Sequence, residues 1–525
     1  MPIKVLPLKE WLPDQPDLGN FVSTATNVIP WAQGYKSFPS FSPVSSNALT
    51  ARFQGGTFAQ DTSANTYIFA GDASKLYKVE GTTFSDITRI TISGSSTASG
   101  SISATAYSTN ADDWWEFIVF GSQVIGVNGL SNEPQAYTLG TSTKFNDLAG
   151  SPPNARHIAI VRDFVVMGNL SEAGTITPHR VRWSAINNAA SWAVSAATQA
   201  DFQDLDADGG WVQRIIGGEY GVVVQQRALT RMTYVGSPVI FQFDKIENNR
   251  GTIASQSVVG YGGRIWFIAD DGFYESIGGG PARAIGDGKV DNFFLTDAKS
   301  TAYPQISAAV DPLRKLVLWA YPGAGASGTL PNHVLIYNWV YKKWGYAEIE
   351  IEGFVNYAGI GYTLEQLDAI SASLDALTPS LDDRSWKGGG RALAGYDTSH
   401  KLGTFGGTPL DATVDTGEYQ LTPGRTSHVR FARPLVDANA ASVAVGARSR
   451  MESTHSFGNA VPVNLDGQCF VRSHARYHRF RIQTTGTFDF IQGIEVEFEK
   501  GGKRTDGSAT IWDSSGQNPT YWDVI

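Results

Sequence analysis

The feature that most constrains the fold is a recurring hairpin, an apolar strand followed by a turn and a second strand, along residues 66–349. The hairpins turn at dipeptides such as GD, GS, GE, GG and DP, which favour tight turns. The apolar anchors of successive units are 40 to 57 residues apart: Ile68, Ile118, Ile158, Ile215, Val258 and Ile306. Propeller blades, which are small antiparallel sheets, repeat about every 40–50 residues. The sequence therefore predicts an all-β fold, a β-propeller of about six blades.

The most aromatic unit, "HVLIYNWVYKKWGYAEI" at residues 333–349, indicates how such blades would pack. One small sheet cannot bury both of its faces, so neighbouring blades must cover each other with bulky side chains. We therefore expect Trp339 and Trp344 to wedge between blades. The alternation of Trp115, Phe117 and Val119 places these three side chains on one face of another sheet. A generic β-sandwich protein with accidental hairpin spacing remains the alternative.

The regions that flank the repeats predict a division into five parts. Residues 1–50 are rich in Pro, Gly and aromatic residues and predict an extended N-terminal arm that lies over other structure. Residues 51–361 would form the propeller blades. Residues 391–505 alternate again and predict an extra C-terminal β-domain or a last blade. Residues 506–525 form a polar tail with aromatic residues.

Residues 362–390 break the β-pattern and predict a short helical insertion. Leucine and isoleucine recur at helical spacing within residues 362–384, at Leu364, Leu367, Ile370, Leu374 and Leu377. Thr363 is a suitable N-cap, and Pro379 would end the helix. We expect its single apolar stripe to pack on a neighbouring sheet or on another subunit.

Charge and cysteine content exclude several classes of protein. The formal net charge is −9 and the pI is about 5.4, which argues against a broad basic face that grips nucleic acid. Cys469 is the only cysteine, so the chain has no internal disulfide and no cysteine-based metal site. The start lacks the apolar core of a secretory signal, and the apolar runs are too short to span a bilayer. We expect synthesis in the cytoplasm and no membrane insertion.

Motifs that would carry chemistry are weak. "GAGASG" at residues 323–328 fits G-x-G-x-x-G but precedes a strand, so it predicts a loop. "RAIGDGKV" at residues 283–290 lacks the first glycine and the Ser or Thr of a phosphate-binding loop. Asp204, Asp206 and Asp208 resemble the opening of a calcium loop, but Ile215 stands where the closing Glu is needed. They remain a weak calcium candidate, and we expect no catalytic residue, no cofactor and no enzymatic activity.

Other polar clusters have simpler explanations. "HARYHRFR" at residues 474–481 predicts a solvated edge strand or, alternatively, a basic patch that contacts an acidic partner or DNA phosphates. His474 and His478 lack a third zinc ligand nearby. The adjacent carboxylates Asp112 and Asp113 have turn propensity and do not establish an acid/base pair.

Several longer segments resemble one family. They are "LPLKEWLPDQPDLGN", "TNVIPWAQGYKSFPS", "YIFAGDASKLYKV", "GGWVQRIIGGEYGVVVQQRALTRMTYVGSP", "SLDDRSWKGGGRALAGYDTSHKL" and "GQCFVRSHARYHRFRI". They are similar to the tail tubular, or nozzle, proteins of short-tailed bacteriophages, and the resemblance covers most of the chain. It implies a virion protein with a propeller that forms a homo-oligomeric, six-fold ring below the portal and adaptor proteins. Such a ring touches tail fibres or spikes, and double-stranded DNA passes through it.

The resemblance and the composition give one functional expectation. We expect a structural virion protein of a phage tail, a nozzle component of the channel for genome retention and ejection. An acidic chain can line such a channel, because like charge keeps DNA from sticking while salt screens the repulsion beyond about 8–10 Å. The alternative is a carbohydrate-binding or glycan-degrading β-propeller.

Overall fold

The computed structural model describes residues 2–63, 65–93, 101–104, 106–358, 371, 373, 391–438 and 440–501, and their regular secondary structure is almost entirely β-strand. Helical structure in these residues is short: one α-helix and three 3₁₀ turns, at Asp291–Asp297, Ala207–Gly209, Ser255–Ser257 and Ser300–Gln305. None of these helices is long and apolar enough to cross a membrane. The helix predicted within 362–384 lies outside the described residues except for positions 371 and 373, and the tail at 506–525 lies outside them completely.

Six four-stranded antiparallel units are built from consecutive strands, and we number them as blades one to six; five are separate sheets, and the sixth is part of a ten-stranded sheet. Blade one comprises strands Gly56–Gln60, Thr66–Gly71, Leu76–Glu80 and Thr83–Asp86. Blade two comprises Glu116–Phe120, Gln123–Val127, Gln135–Thr138 and Asn146–Asp147. Blade three comprises Asn154–Val161, Phe164–Glu172, Thr175–Trp183 and Asp201–Asp204. A separate two-stranded hairpin, Ile90–Ser93 with Ser101–Ala104, lies between blades one and two in the chain. In each blade the first strand leads directly into its neighbour through a tight turn, as the hairpin pattern predicts.

Blades four to six follow the same plan. Blade four comprises strands Val212–Ile216, Tyr220–Gln225, Ala228–Gly236 and Ile240–Asn248. Blade five comprises Val259–Tyr261, Arg264–Ile268, Phe273–Ile277 and Ala282–Ala284. Blade six comprises Ser307–Asp311, Leu316–Tyr321, His333–Asn338 and Lys343–Glu348. The aromatic unit at residues 333–349 therefore forms the outer half of blade six.

Blade seven combines distant parts of the chain. Three of its strands are Gly353–Ala358, Arg391–Tyr396 and Leu402–Pro409, and the fourth is Pro39–Pro43 from the N-terminal arm. Phe41 pairs with Phe405 across this junction. The two rings pack edge-to-face with centroids 5.6 Å apart, an arrangement that aromatic pairs prefer.

The seven blades close into a ring. The first strands of successive blades are neighbours around the axis, where Ile216 of blade four lies against Gly260 of blade five, and the first strand of blade seven lies beside that of blade one. Blades four and five share an apolar core that includes Val222, Val224, Val258 and Phe267. The fold is therefore an all-β propeller, and it has seven blades where the hairpin count suggested about six. The count differs because two strands of blade seven flank the 359–390 segment and a third comes from residues 39–43.

The C-terminal β-domain is a sandwich of two sheets that also contains strands of the arm. One sheet comprises Ile3–Pro7, Val28–Pro30, Tyr35–Ser37, Ser427–Val436, Ser473–Ala475 and Phe490–Lys500. The other comprises Val22–Thr26, Ala412–Thr416, Ala440–Arg448, Tyr477–Thr485, Ser456–Phe457 and Val461–Pro462. A parallel contact between Thr26 and Tyr346 joins this second sheet to the outer strand of blade six. The arm thus contributes to both bodies.

The predicted packing of two aromatic groups is confirmed. Trp344 is fully buried, contacts Phe273 of blade five and donates its indole N–H to the Ile285 carbonyl at 3.1 Å. Trp339 packs against Trp266 of blade five at a centroid distance of 5.3 Å. Both tryptophans therefore lie between blades five and six.

The prediction that Trp115, Phe117 and Val119 lie on one face of a sheet is also confirmed, in blade two. Trp115 belongs to the core shared with blade one, and Phe117 and Val119 pack against that core. Trp115 and Phe117 stack at 5.7 Å. The alternation in sequence was sufficient to assign these side chains to one face.

Candidate functional site

The first strands of blades one, two and four to seven line a cavity of about 600 Å³ on the propeller axis, which we call the channel cavity. We call the end where the first and second strands of each blade join the upper end. Apolar side chains line much of the wall toward that end: Phe58, Phe117, Val119, Ile216, Val259, Tyr261, Val310 and Pro312. A cavity of this size is within the range of small-molecule sites, about 300–1,000 Å³.

A buried polar cluster forms the opposite, lower part of the cavity. The Glu116 carboxylate of blade two contacts His157 Nδ1 of blade three at 2.9 Å and accepts a hydrogen bond from Arg214 Nη1 of blade four. Gln256, just before blade five, donates to Glu116 at 3.0 Å and accepts from Arg214 Nη1 at 3.0 Å. The Ile158 backbone N–H also donates to Glu116 at 3.3 Å. One carboxylate therefore ties four successive blades together at the axis.

Glu116 stays ionised in this environment. Burial acts to raise the pKa of its carboxyl group, but the charge of Arg214 and the contact with His157 more than offset burial, so the pKa lies below its usual value. A carboxylate held in this way cannot donate a proton at neutral pH. The cluster is therefore suited to fixing blade geometry and to presenting hydrogen-bond donors to the cavity.

A shallow groove of about 290 Å³ lies beside the cavity at the upper end, between blades four and five, and we call it the upper groove. Ile216, Gly260 and Tyr261 line both spaces, so the two are adjacent. Two glycine-rich turns flank the groove, Gly217–Gly218 and Gly262–Gly263. Because these turns carry no side chains, a ligand can approach their backbone closely.

The two tryptophans and the carboxylate of Asp311 in the cavity already form hydrogen bonds with other parts of the protein. Trp114 donates its indole N–H to the Pro304 carbonyl at 2.7 Å, and Trp115 donates to the Asp72 carbonyl at 3.0 Å. Asp311 accepts the backbone N–H groups of Leu313 and Arg314 within its own turn. Neither tryptophan is an exposed platform, and Glu116 and Asp311 do not form a free pair of carboxylates of the kind used in glycoside hydrolysis.

The three residues of the weak calcium candidate, Asp204, Asp206 and Asp208, each contact a different basic side chain. Arg180 binds both oxygens of the Asp204 carboxylate, at 2.7 and 2.9 Å. Asp206 lies 3.5 Å from Lys245, and the Asp208 carbonyl accepts from Arg227. Arg180 lowers the pKa of Asp204, a shift that burial opposes. Within the residues that the structure describes, no group of three His, Cys, Asp or Glu side chains could hold a metal ion.

The edge-strand prediction for residues 474–481 is confirmed for strand Ser473–Ala475, the last strand of its sheet, and is wrong for the rest. The alternative, a basic patch that contacts an acidic partner or DNA phosphates, stays a prediction. Strand Tyr477–Thr485 is not an edge strand, because it pairs with Ala412–Thr416 on one side and Ala440–Arg448 on the other. Arg481 makes two 2.8 Å hydrogen bonds to Asp415, and Arg479 lies 3.4 Å from Asp17 of the arm. The sequence could not reveal these acidic partners, because they lie about 60 and more than 400 positions away.

The remaining motifs have structural roles. Residues 323–328 connect two strands of blade six without forming a helix, which confirms the loop. The lysine of "RAIGDGKV", Lys289, lies 2.6 Å from Glu10 of the arm. Asp113 pairs with Arg156, and Asp112 accepts from Gln305.

No protein-family profile and no curated protein matches the sequence. Solved structures with a similar fold include the WD40 domain of Neurospora crassa Pan2, at 9% identity, 69% coverage of this chain, 95% of that chain and a TM-score of 0.38. A virginiamycin B lyase from Staphylococcus aureus matches at 12% identity, 60% and 92% coverage and a TM-score of 0.35. An ancestral GH74 enzyme matches at 11% identity, 69% and 50% coverage and a TM-score of 0.32.

One prediction from the sequence is corrected by these comparisons. We expected no enzymatic activity because familiar catalytic motifs are lacking, but similar propellers include a lyase and a GH74 enzyme. The exclusion was therefore wrong, because one fold hosts many functions and the lack of a familiar contiguous motif does not exclude an active site. At these low identities the similarity assigns no particular activity to this chain.

Proposed function

We propose that this chain is a structural component of a phage tail, and that about six copies assemble as a ring around the passage through which the genome leaves. The resemblance of its segments to tail tubular proteins supports this proposal. So does the acidic net charge of −9, which keeps a DNA duplex from adhering to the wall of a passage. In the virion, the ring would contact the portal and adaptor on one side and fibres or spikes on the other.

The passage for DNA lies between subunits in this proposal, and does not follow the axis of each propeller. The channel cavity, about 600 Å³, has the size of a small-molecule site, about 300–1,000 Å³, and not that of a passage for a DNA duplex. The lower part of the cavity is also bridged by Glu116 and Arg214. A ring of propellers must therefore enclose the duplex collectively.

Two separate apolar surfaces carry the proposal, because a head-to-tail ring needs two different surfaces on each subunit. The blade patch lies at the upper end of blades three and four and comprises the exposed residues Ile186, Val194, Val235 and Val239. A 3.0 Å hydrogen bond from Tyr234 to Gln199 holds the blade-four hairpin to the blade-three loop. We propose that these exposed apolar side chains of two neighbouring blades form one interaction site.

The second surface, the sandwich patch, lies on the outer face of one sheet of the sandwich. Ile3 and Phe431 both face Glu497 across the ladder, so the three side chains share one face. Val5 extends this face along the edge strand, and the exposed Phe470 packs on Phe431. We propose that the blade patch of one copy contacts the sandwich patch of the next.

Substitution of Val239 tests this proposal against a matched control. Val239 is 60% exposed in the turn between the third and fourth strands of blade four, and Val340 is 54% exposed in the equivalent turn of blade six. We expect Val239→Asp to abolish rings seen by negative-stain electron microscopy and mass photometry, and Val340→Asp to leave them intact. A chain that stays monomeric in the presence of portal and adaptor proteins contradicts the proposal.

A further inference from the structure

We propose that the channel cavity and the upper groove form one binding site for an extended, uncharged oligosaccharide. The inference goes beyond the ring and does not depend on it, because the site lies within a single propeller. The two spaces meet at Tyr261, which lines both. A ligand that bound here would place one end in the cavity and run outward between blades four and five.

The aromatic contact comes from Tyr261. Its side chain is 41% exposed, and its ring packs against Trp339 at 6.1 Å, which supports it from the side of blade six. An exposed, supported aromatic ring offers an apolar face beside a polar hydroxyl. A pyranose ring, with C–H groups on its faces and hydroxyl groups on its rim, complements such a surface.

The hydrogen-bond donors come from the lower cluster. Arg214 uses Nη1 for its contacts with Glu116 and Gln256, and a guanidinium has five N–H donors. Its Nε and Nη2 groups have no hydrogen-bond partner among the residues that the structure describes. Gln256 also uses its amide NH₂ for only one contact, to Glu116. These donors lie in a cavity whose wall also carries apolar side chains toward the upper end, and a few placed polar groups of this kind fix the orientation of small ligands.

The charges that line the site favour an uncharged ligand. Among the described residues, three carboxylates face the two spaces, Glu116, Asp311 and Glu219, against two arginines, Arg214 and Arg264. Arg214 is neutralised by Glu116, Arg264 lies 3.1 Å from Glu275, and Asp311 lies 3.6 Å from Arg314. DNA and acidic polysaccharides would meet a slight excess of negative charge, so like-charge repulsion opposes their binding.

The walls of the groove favour a saccharide over a peptide. A peptide that adds to a sheet needs an exposed strand edge, but strand Val259–Tyr261 is only three residues long and turns form the rest of the groove. Gly262 and Gly263 have φ of +58° and +76°, and an added Cβ at either position would meet no atom within 4 Å. The groove is therefore open at these glycines, where sugar rings can lie against bare backbone.

Titration calorimetry on the full chain tests the inference. The probes are neutral tetra- to octasaccharides of glucose, galactose, rhamnose or N-acetylglucosamine, with polygalacturonate oligomers, duplex DNA and an uncharged peptide as competitors of other classes. We expect at least one neutral oligosaccharide to bind and Tyr261→Ala to weaken its Kd by about tenfold or more, while Tyr261→Phe retains binding. Tyr341→Ala is the matched control, because Tyr341 is 36% exposed, packs on Trp31 and lies outside both spaces.

Three results would overturn the inference. The first is the absence of binding by every neutral oligosaccharide at millimolar concentration. The second is binding that Tyr261→Ala and Tyr341→Ala affect equally, with both variants folded by circular dichroism. The third is binding of the peptide, the acidic oligomers or DNA in place of the neutral sugars, sensitive to Tyr261→Ala. Ring formation is measured separately, so a failed ring leaves the result on saccharide binding unchanged.

Discussion

Blade four and blade seven have the same four-stranded form but are assembled differently from the chain. All four strands of blade four lie between Val212 and Asn248, and each pairs with its neighbour in sequence. Blade seven takes its outer strand from Pro39–Pro43, more than 300 residues before its other strands. The same sheet geometry therefore results from local pairing in one blade and from long-range pairing in the other.

This difference shows that the ring of blades depends on the N-terminal arm at blade seven. Hairpins such as those of blade four close short loops, which costs little conformational entropy, whereas blade seven requires a very long loop to close. The arm also supplies strands Ile3–Pro7 and Val22–Thr26 to the sandwich. Blades one to six can form locally, while the closing of blade seven and the folding of the sandwich are coupled through the arm.

The largest expected effect follows from deleting residues 2–43. We predict loss of the cooperative thermal transition and of the near-ultraviolet circular dichroism signal, because blade seven and both sheets of the sandwich lose strands. An arm that merely covered the surface would instead impair ring assembly more than blade folding. A truncated chain with the unfolding transition of the full chain would contradict the closure by the arm.

A smaller effect is expected from removing one buried ring in each of the two blades. Phe405 of blade seven is 4% exposed and Phe241 of blade four is 3% exposed, so either Phe→Ala change should cost about 3–5 kcal/mol of unfolding free energy. Only Phe405→Ala removes the contacts with Phe38 and Phe41 of the arm. Limited proteolysis should therefore cut near residues 39–43 in Phe405→Ala and not in Phe241→Ala; equal cleavage would remove the distinction.

Sequence reasoning succeeded where partners are close in the chain. The hairpins, the face shared by Trp115 and Phe117, and the wedges Trp339 and Trp344 all follow from local alternation and turn residues. It failed for the pairing of Phe41 with Phe405, because nothing local indicates which of many apolar strands a Pro-rich segment will join. The number of blades was underestimated for the same reason.

The candidate site was missed because its members come from different blades. The three partners of Glu116, which are His157, Arg214 and Gln256, lie 41, 98 and 140 positions after it in the sequence. No spacing rule joins residues that far apart. A weaker signal existed: Glu116 is a lone acid in "WWEFIVF", and Arg214 is a lone base in "WVQRII". A charge inside an apolar strand needs a partner when it is buried, so these two residues could have been flagged together.

Two buried carboxylates, Glu116 at the propeller axis and Glu352 beside blade seven, should differ in how much they contribute to stability. Glu116→Gln would leave Arg214 partly buried without its counter-charge, and we expect a loss of about 3 kcal/mol in unfolding free energy. Glu352, before blade seven, accepts from the Phe53 N–H at 2.8 Å and contacts His400 Nδ1 at 2.6 Å. Burial raises the pKa of Glu352, so its neutral form is better tolerated and Glu352→Gln should cost only about 1 kcal/mol.

Chemical denaturation of both variants at neutral pH measures this difference. A larger loss for Glu352→Gln than for Glu116→Gln would show that the closing junction of blade seven, and not the axial cluster, carries the stronger electrostatic tie.

A further expected effect, smaller than that of Glu116→Gln, is a pH dependence that arises in the sandwich. His478 is fully buried there, and burial, aided by His474 and His428, lowers its pKa to about 4. The native state keeps the imidazole neutral while the unfolded chain gains a proton below about pH 6.5, so stability falls as the pH falls from 6.5 toward 4. Between pH 7 and pH 5 we expect a loss of about 2 kcal/mol.

His478→Phe should flatten this acid slope, since the ring that replaces the imidazole cannot titrate. Fluorescence-monitored unfolding of the two proteins at pH 7 and pH 5 checks the expectation. An identical slope in both proteins would assign the acid sensitivity to another group.

The most direct test of the closure by the arm is a disulfide between Ser42 and Thr404, which face each other across the joint in blade seven. In a Cys469→Ala background, we predict that Ser42→Cys/Thr404→Cys oxidises to an intramolecular disulfide in the folded chain, because directly paired strand residues lie within disulfide range. The control Ser42→Cys/Ser85→Cys, with Ser85 on the outer strand of blade one, should stay reduced. Failure of the first pair to oxidise, or equal oxidation of both pairs, would contradict the account that residues 39–43 complete the ring.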